Sequence, residues 1–189
     1  RQEKYYEGDI PWATVRDMRF DELFKTEHCI TEDGLRDSSS NLIPRNNIVI
    51  ASRVGLGKVC IIKQDTAINQ DLRGVLPKRD GTLDIRYLFY CFKSIAQKII
   101  DAGTGATVQG VRLPFLKSLQ IPLPPPEQQR VIVEKLDTLS EKTKKLIAIY
   151  QQKSDLLANL KQSILHKAFS GELTADKKAL DRSLVEGGL

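Results

Sequence analysis

The architecture of this protein follows from one stretch, residues 126–169, which reads PEQQRVIVEKLDTLSEKTKKLIAIYQQKSDLLANLKQSILHKAF. Read in sevens, this stretch places eleven residues at alternating steps of four and three, and eight of the eleven are apolar. A sustained heptad pattern that no Gly or Pro interrupts predicts a long helix packed along another long helix. The seam positions are Ile132, Leu136, Leu139, Thr143, Leu146, Tyr150, Lys153, Leu157, Leu160, Ile164 and Lys167.

The predicted helix begins at Pro126, because proline suits the first helical position and Glu127 complements the positive end of the helix dipole. At about 1.5 Å per residue, such a helix is on the order of 60 Å long. One small domain cannot cover a stripe of that length, and no other stretch predicts a comparable helix. We therefore expect the partner helix to come from a second molecule or from a part of the protein outside this sequence.

Composition and charge narrow the class of protein. The chain has 189 residues, of which 41% are hydrophobic and 28% charged, as in soluble globular proteins. No apolar run is long enough to span a membrane, and no signal-peptide pattern opens the sequence. The isolated cysteines Cys29, Cys60 and Cys91 indicate a reducing cytoplasm and buried thiols rather than a metal or redox site.

Positive charge is concentrated in the middle of the chain. Residues 1–44 hold six Lys and Arg against ten Asp and Glu, a net charge of −4. Residues 45–117 hold twelve against five, a net charge of +7, whereas residues 127–189 hold eleven against nine. A basic centre suits a polyanion such as DNA, although a solvated basic surface is an equal alternative.

The first part of the chain alternates short strands with loops. Strands are predicted at 10–15, 47–52, 59–62, 66–69 and 74–76, with Pro11 favouring an edge position for the first. Thr31 is expected to cap a short helix that ends near Gly34, and residues 38–40 form a loop. The loop at 53–58 is interpreted as a turn between two strands. Its GLGK lacks the frame of a phosphate-binding loop and does not precede a helix.

The second part of the globular region is predicted to be helical and then extended. Asp84 caps a helix whose apolar residues Leu88, Phe89, Phe92, Ile95 and Ile99 recur at helical spacing. Residues 103–107 form a flexible loop and residues 119–121 a last strand, before four prolines at 122–126 mark a domain boundary. The sequence thus predicts an α/β (α+β) globular domain at 1–125, a long coiled-coil helix at 126–170 and a charged tail at 171–189.

Motifs for catalysis are missing from the sequence. His28 and His166 stand in no metal-ligand spacing, and no glycine-rich fingerprint for a nucleotide or S-adenosylmethionine opens a strand–helix unit. No tetrad for base methylation and no carboxylate cluster typical of a nuclease is evident. We interpret the chain as a binding protein with no catalytic residues and no cofactor of its own.

Six motifs occur in an order that resembles one known family. They are GDIPW at 8–12, IASRVGLGK at 50–58, AINQ at 67–70, GTGATVQG at 103–110, IPLPPPEQ at 121–128 and AFSGEL at 168–173. Together they resemble the specificity (S) subunits of type I restriction–modification systems, from about residue 8 to about residue 174. Each motif is weak alone, but six in the family's order are specific.

The resemblance implies a target recognition domain that reads one half of a bipartite double-stranded DNA site, followed by a spacer helix. Family members usually carry two recognition domains and two antiparallel spacer helices. This sequence has one of each, so it is either a half subunit that works as an antiparallel homodimer or half of a longer chain. In the family, methyltransferase (M) subunits bind S-adenosylmethionine, and the restriction (R) subunit uses ATP and Mg.

Loops between strands are the expected places for DNA contacts, because a rigid sheet presents loop side chains to a groove. The candidates are Arg16 after the first strand, Arg53 and Lys58 around one turn, and Thr107, Gln109 and Arg112 around another. Arg can read guanine and Gln can read adenine, whereas Lys more often contacts phosphate. Two other functions stay open: the recognition half of a single-chain restriction–methylation enzyme, and a coiled-coil scaffold without DNA affinity.

Overall fold

The computed structural model describes residues 3–77, 81–105 and 110–173. The strands are β1 (Ile10–Ala13), β2 (Glu22–Leu23), β3 (His28–Ile30), β4 (Asn41–Ile43), β5 (Ile48–Ala51), β6 (Val59–Ile62), β7 (Thr66–Ile68) and β8 (Leu72–Val75). The helices are α1 (Glu32–Arg36), α2 (Ile85–Ser94), α3 (Ala96–Asp101), α4 (Leu113–Ser118) and α5 (Pro126–Phe169). The chain divides into two compact units, residues 1–136 and residues 137–189, so α5 begins in the first unit.

Two four-stranded mixed sheets form the first unit. The first sheet has the order β3-β1-β7-β4, and only β1 and β7 run parallel in it. The second has the order β2-β6-β5-β8, in which β2 and β6 run parallel and β5 pairs antiparallel with both neighbours. An α/β fold with a long helix at its end was predicted, and the structure confirms it.

The inner strands β5 and β6 of the second sheet are buried on both faces. Val49 and Ala51 of β5 face a core shared with the first sheet, whereas Ile48 and Ile50 face a core shared with α2 and α3. This alternation follows from the two-residue repeat of a strand. Near-continuous apolar runs in β5 and β6 are therefore required, and all eight of their residues are buried.

The strands predicted at 10–15, 47–52 and 66–69 are present with shorter bounds, the one at 59–62 has the predicted bounds, and the one at 74–76 is β8 (Leu72–Val75). The edge position predicted for β1 is wrong, because β1 lies between β3 and β7. Pro11 is tolerated there because the pairing with β7 covers only Trp12 and Ala13. The missing N–H of proline thus leaves the β1–β7 ladder complete.

The strand predicted at residues 119–121 is also wrong. These residues follow α4 and belong to no strand, although Leu119 and Ile121 pack against the core that contains α2. The prolines that come next cannot donate ladder hydrogen bonds, which disfavours a strand at this position. Burial of Leu119 and Ile121 therefore explains the apolar pattern without a sheet.

The structure confirms both predicted helix caps, but the helices differ from the prediction in where they end. Asp84 accepts a hydrogen bond from the Tyr87 N–H at 2.9 Å, and Thr31 accepts one from the Gly34 N–H at 3.0 Å. The helix that Thr31 caps continues past Gly34 to Arg36. The single helix predicted after Asp84 is divided at Ile95 into α2 and α3.

Candidate nucleic-acid interface

Several loops meet at one end of the two sheets. β1 and β7 run parallel, so the residues that follow them are neighbours, and the Asn69 N–H donates to the Ala13 carbonyl at 3.2 Å. On the second sheet, Ala51 at the end of β5 pairs with Leu72 at the start of β8. The Ser52 N–H then donates to the Asp71 carbonyl at 2.8 Å, which joins the loops after β5 and β7.

The loop at 53–58 joins β5 to β6 as the sequence predicted. Gly55 and Gly57 have φ values of 76° and 85°, which favour glycine. A Cβ on Gly55 would lie 2.8 Å from Val15 Cγ1, and one on Gly57 would lie 2.9 Å from Ile100 Cδ1. Both glycines are therefore needed for the turn and for its packing.

Lys58 ends this loop and reaches towards the segment after β1. Its Nζ donates to the Val15 carbonyl at 3.4 Å, and its own side chain is exposed. Arg16 follows Val15 directly and is also exposed. The structure thus brings the predicted residues Arg16 and Lys58 onto adjoining segments.

Arg53 begins the same loop and lies beside the segment that contains Arg112. Arg53 forms an isolated antiparallel bridge with Gly110, and the Val111 N–H donates to the Ser52 carbonyl at 2.9 Å. Arg112 comes next, is exposed and precedes α4. Arg53 and Arg112 therefore lie on adjoining segments.

Thr107 and Gln109 lie outside the described residues. The two ends of the segment that contains them are joined by hydrogen bonds of 3.0 Å in both directions between the backbones of Thr104 and Gly110. Since Gly110 also bridges Arg53, the Thr104–Gly110 pair lies beside the loop at 53–58. Whether Thr107 and Gln109 contact DNA stays a prediction.

Acidic side chains at this end shape the loops. The Asp17 carboxylate accepts hydrogen bonds from the Thr14 N–H and Oγ1 and from the Glu27 N–H, at 2.8 to 2.9 Å. The Asp71 carboxylate accepts from Asn69 Nδ2 at 3.3 Å and lies 3.5 Å from Arg53 Nη1. Both carboxylates therefore hold the loops together, and Asp71 lies beside one of the predicted basic residues, Arg53.

Sequence patterns did not indicate Asp71 or Arg73. Arg73 is exposed on β8, and its Nη1 donates to the carbonyls of Gln70 and Leu72. The run Asn69-Gln70-Asp71 was the available signal, since Asx residues between two strands form side-chain turns. The Asp71 N–H does donate to Asn69 Oδ1, at 3.2 Å.

The second unit presents an apolar stripe along α5. The predicted seam residues Leu139, Leu146, Tyr150, Leu157, Leu160 and Ile164 are 49% to 67% exposed. Ile132 and Leu136, which lie in the first unit, are 37% exposed and half-buried, respectively. Contiguous exposed leucines on one helix are typical of an interface.

Metal-ligating side chains are dispersed among residues 3–77, 81–105 and 110–173. No group of three or more metal-ligating side chains occurs within those ranges. Burial raises the pKa of the Cys60 thiol to about 12, so this cysteine is a poor nucleophile at neutral pH. Across the same described part of the chain, no helix combines the length and apolarity needed to cross a bilayer.

Comparisons with known proteins agree with this picture. The chain is 35% identical over 150 residues to the type I restriction enzyme MjaIX specificity subunit of Methanocaldococcus jannaschii, covering 75% of this chain and 34% of that protein. It is also 35% identical over 142 residues to the EcoR124I/EcoR124II specificity subunit of Escherichia coli, covering 70% and 35%. The chain thus spans about a third of the length of these curated relatives.

Solved structures share the fold. A chain from a study of complex assembly and conformational transition of the type I R-M system superposes with a TM-score of 0.73 at 23% identity, covering 89% of this chain and 41% of that one. The HsdS subunit from Thermoanaerobacter tengcongensis gives 0.59 at 20% identity, covering 75% and 33%. The model of the type I restriction modification DNA specificity domain matches residues 1–156. The resemblance found in the sequence is therefore confirmed, and this chain belongs to the type I restriction modification DNA specificity domain family.

Proposed function

We propose that this chain is a sequence-recognition subunit of a type I restriction–modification complex and reads one half of a bipartite DNA site. The observation that carries the proposal is the meeting of basic loops at one end of the two sheets. Arg53 bridges Gly110 beside Arg112, and Lys58 contacts the carbonyl of Val15, which precedes Arg16. Family membership supports the same function.

The two kinds of basic residue have different proposed roles. Lys58 has a compact charge on a flexible stem, so it contacts phosphate and adds affinity for any sequence. Arg53 and Arg112 have planar guanidinium groups that can donate two hydrogen bonds to the O6 and N7 atoms of guanine. Because all three lie on short connections anchored in the sheets, the DNA meets a preformed surface.

The apolar stripe of α5 is proposed to pack against a second copy of the same helix. Its exposed leucines are spaced for a coiled coil, and the described residues contain no other helix of similar length. For such a homodimer, the family resemblance favours an antiparallel orientation of the two helices. The alternative is that the second helix belongs to another half of a longer chain.

Catalysis is proposed to reside in the partners. Methyltransferase subunits would supply S-adenosylmethionine chemistry, and the restriction subunit would supply ATP-driven and Mg-dependent cleavage. This chain would contribute recognition and a scaffold, without a cofactor of its own. The three cysteines form no disulfide, which supports a location in the reducing cytoplasm.

Binding of the full chain to labelled random-sequence duplexes between 50 and 200 mM salt tests the proposal. We expect log K to fall linearly with log salt, by about 0.9 per phosphate contact. Replacing Arg53, Lys58 and Arg112 by Gln should abolish most of this binding. A matched control replaces the exposed Lys142, Lys145 and Lys161 of α5 by Gln and should retain it. Equal losses, or binding insensitive to salt, would favour the scaffold without DNA affinity.

A further inference from the structure

Asp71 contacts Arg53 through both its backbone and its side chain. The Asp71 carbonyl accepts hydrogen bonds from the N–H groups of Ser52 and Arg53 at 2.8 and 3.1 Å, and from Ser52 Oγ at 3.1 Å. Its carboxylate Oδ1 lies 3.5 Å from Arg53 Nη1. The same residue therefore contacts both the backbone and the guanidinium of Arg53.

Asp71 is itself anchored to the first sheet. Asn69 is buried, accepts from the Asp71 N–H at 3.2 Å and donates to Asp71 Oδ2 at 3.3 Å. The Asn69 N–H donates to the Ala13 carbonyl at the end of β1. A continuous set of hydrogen bonds thus connects β1 to Arg53 through Asn69 and Asp71.

The ion pair leaves Arg53 able to bind DNA. Its side chain is 50% exposed, whereas that of Asp71 is 21% exposed. A guanidinium has five N–H donors, so a contact at one Nη1 leaves enough for a bidentate contact with a base. A bidentate contact with guanine requires the guanidinium plane to align with the base edge, and a nearby carboxylate also repels phosphate.

We propose that Asp71 is a positioning residue that holds Arg53 for reading guanine and restrains it from contacting phosphates. The proposal deepens and rests on the proposed function in DNA recognition. According to this proposal, Asp71 raises the preference for guanine and lowers the affinity for random-sequence DNA. These two effects have opposite signs, which a purely structural role would not produce.

The test uses Asp71→Asn, which keeps the size of the side chain and an oxygen acceptor for Asn69. The full chain is selected against a library of duplexes with a randomised core, and affinity is also measured on a random-sequence duplex. We expect Asp71→Asn to lose guanine preference at one position of the enriched site by on the order of 10-fold. Affinity for the random duplex should rise severalfold, with a salt slope steeper by about 0.9.

Two further variants separate charge from position. Asp9→Asn removes the same charge from an exposed residue at the opposite end of β1, and it should change neither the base preference nor the slope. Arg53→Lys keeps the positive charge without a planar donor, so it should lose the same guanine preference with an unchanged slope.

The outcomes distinguish this inference from the function on which it rests. If wild type enriches a sequence and Asp71→Asn keeps every preference, the positioning role is wrong and the proposed function stands. A fall in affinity for both the enriched and the random duplex would also overturn the positioning role. If wild type enriches no sequence and binds without salt dependence, the proposed function is wrong and the inference is wrong with it.

Discussion

The side-chain oxygen Oε1 of Gln129 accepts a hydrogen bond from the backbone N–H of Asp84 at 2.8 Å. The Nε2 of Gln129 donates to the carbonyls of Thr82 and Pro124 at 2.9 and 2.8 Å, and the side chain has 0% exposure. Asp84 in turn caps α2. One buried amide therefore joins the first turn of α5 to the start of α2 within the first unit.

We expect Gln129→Ala to lower the free energy of unfolding by about 2–4 kcal/mol, because it removes three hydrogen bonds made by a fully buried amide. Urea denaturation of the full chain measures the change. The neighbouring Gln128→Ala is the control, since Gln128 is exposed in the same helical turn and should cost less than about 0.5 kcal/mol. Similar losses in both variants would show that the Gln129 hydrogen bonds contribute little.

If the seam of α5 forms the dimer interface, charged residues introduced into the seam should dissociate the dimer. Leu139 and Leu160 are 57% and 55% exposed in the single chain, and each buried leucine contributes about 2 kcal/mol. Leu139→Asp combined with Leu160→Asp should weaken self-association more than a thousandfold, giving monomers by light scattering. A double variant that stays dimeric would place the interface elsewhere.

Two apolar residues outside the seam provide the matched control. Ala148 and Leu165 lie on the same helix, but neither occupies a heptad seam position. Ala148→Asp combined with Leu165→Asp adds the same charge to α5. This control should remain dimeric under the conditions that dissociate the seam variant.

Lys58→Gln should weaken binding to all duplexes by a similar factor, because a lysine that contacts phosphate reads no base. The salt slope should become shallower by about 0.9. Lys4→Gln is a suitable control: Lys4 is exposed, and its neighbour Tyr5 accepts a hydrogen bond from the Thr31 N–H, at the opposite end of β1. A change in base preference for Lys58→Gln would instead assign direct reading to this residue.

The proposed antiparallel pairing predicts the symmetry of the DNA site. A two-fold axis makes both copies read the same short sequence on opposite strands, so the site should be an interrupted palindrome. Methylation mapping with the cognate modification subunits would reveal it. A continuous site, or one with two unrelated halves, would exclude the homodimer as the working form.

Deleting one heptad from α5 tests the spacing of that site. Removal of residues 140–146 preserves the seam register and shortens the helix by about 10 Å. The unread spacer should then shrink by about three base pairs while the half-sites stay the same. Removal of two residues turns the rest of the seam by about 200° around the helix axis, so that control should lose dimerisation.

Burial of Cys60 predicts a pH dependence of stability. Its pKa is raised from 9.0 to about 12 in the folded chain, so only the unfolded chain loses this proton as the pH rises above 9. The free energy of unfolding should therefore fall by up to about 1.4 kcal/mol per pH unit above pH 9. Relative to wild type, Cys60→Ala should remove that slope, whereas Cys29→Ala at a half-buried position should keep it.

The local sequence pattern was sufficient to predict the elements whose structure depends on residues close to one another in the sequence. The heptads of α5, the cap at Asp84 and the β-branched run of β5 each act within a few turns or one strand, and all three were predicted. The turn at 53–58 was predicted for the same reason. Motif order added the family, because six short motifs constrain one another along the chain.

Packing between residues distant in the sequence determined the features that the sequence did not predict. Pro11 lies in an inner strand because β7 pairs only with the residues after it, and that register depends on β7, more than fifty residues away. Leu119 and Ile121 are apolar because they cover a core that α2 completes. The roles of Gln129 and Asp71 arise from contacts 45 and 18 or 19 residues away along the chain. Polar residues have no periodicity that reveals such partners, so only the folded chain shows which of them meet.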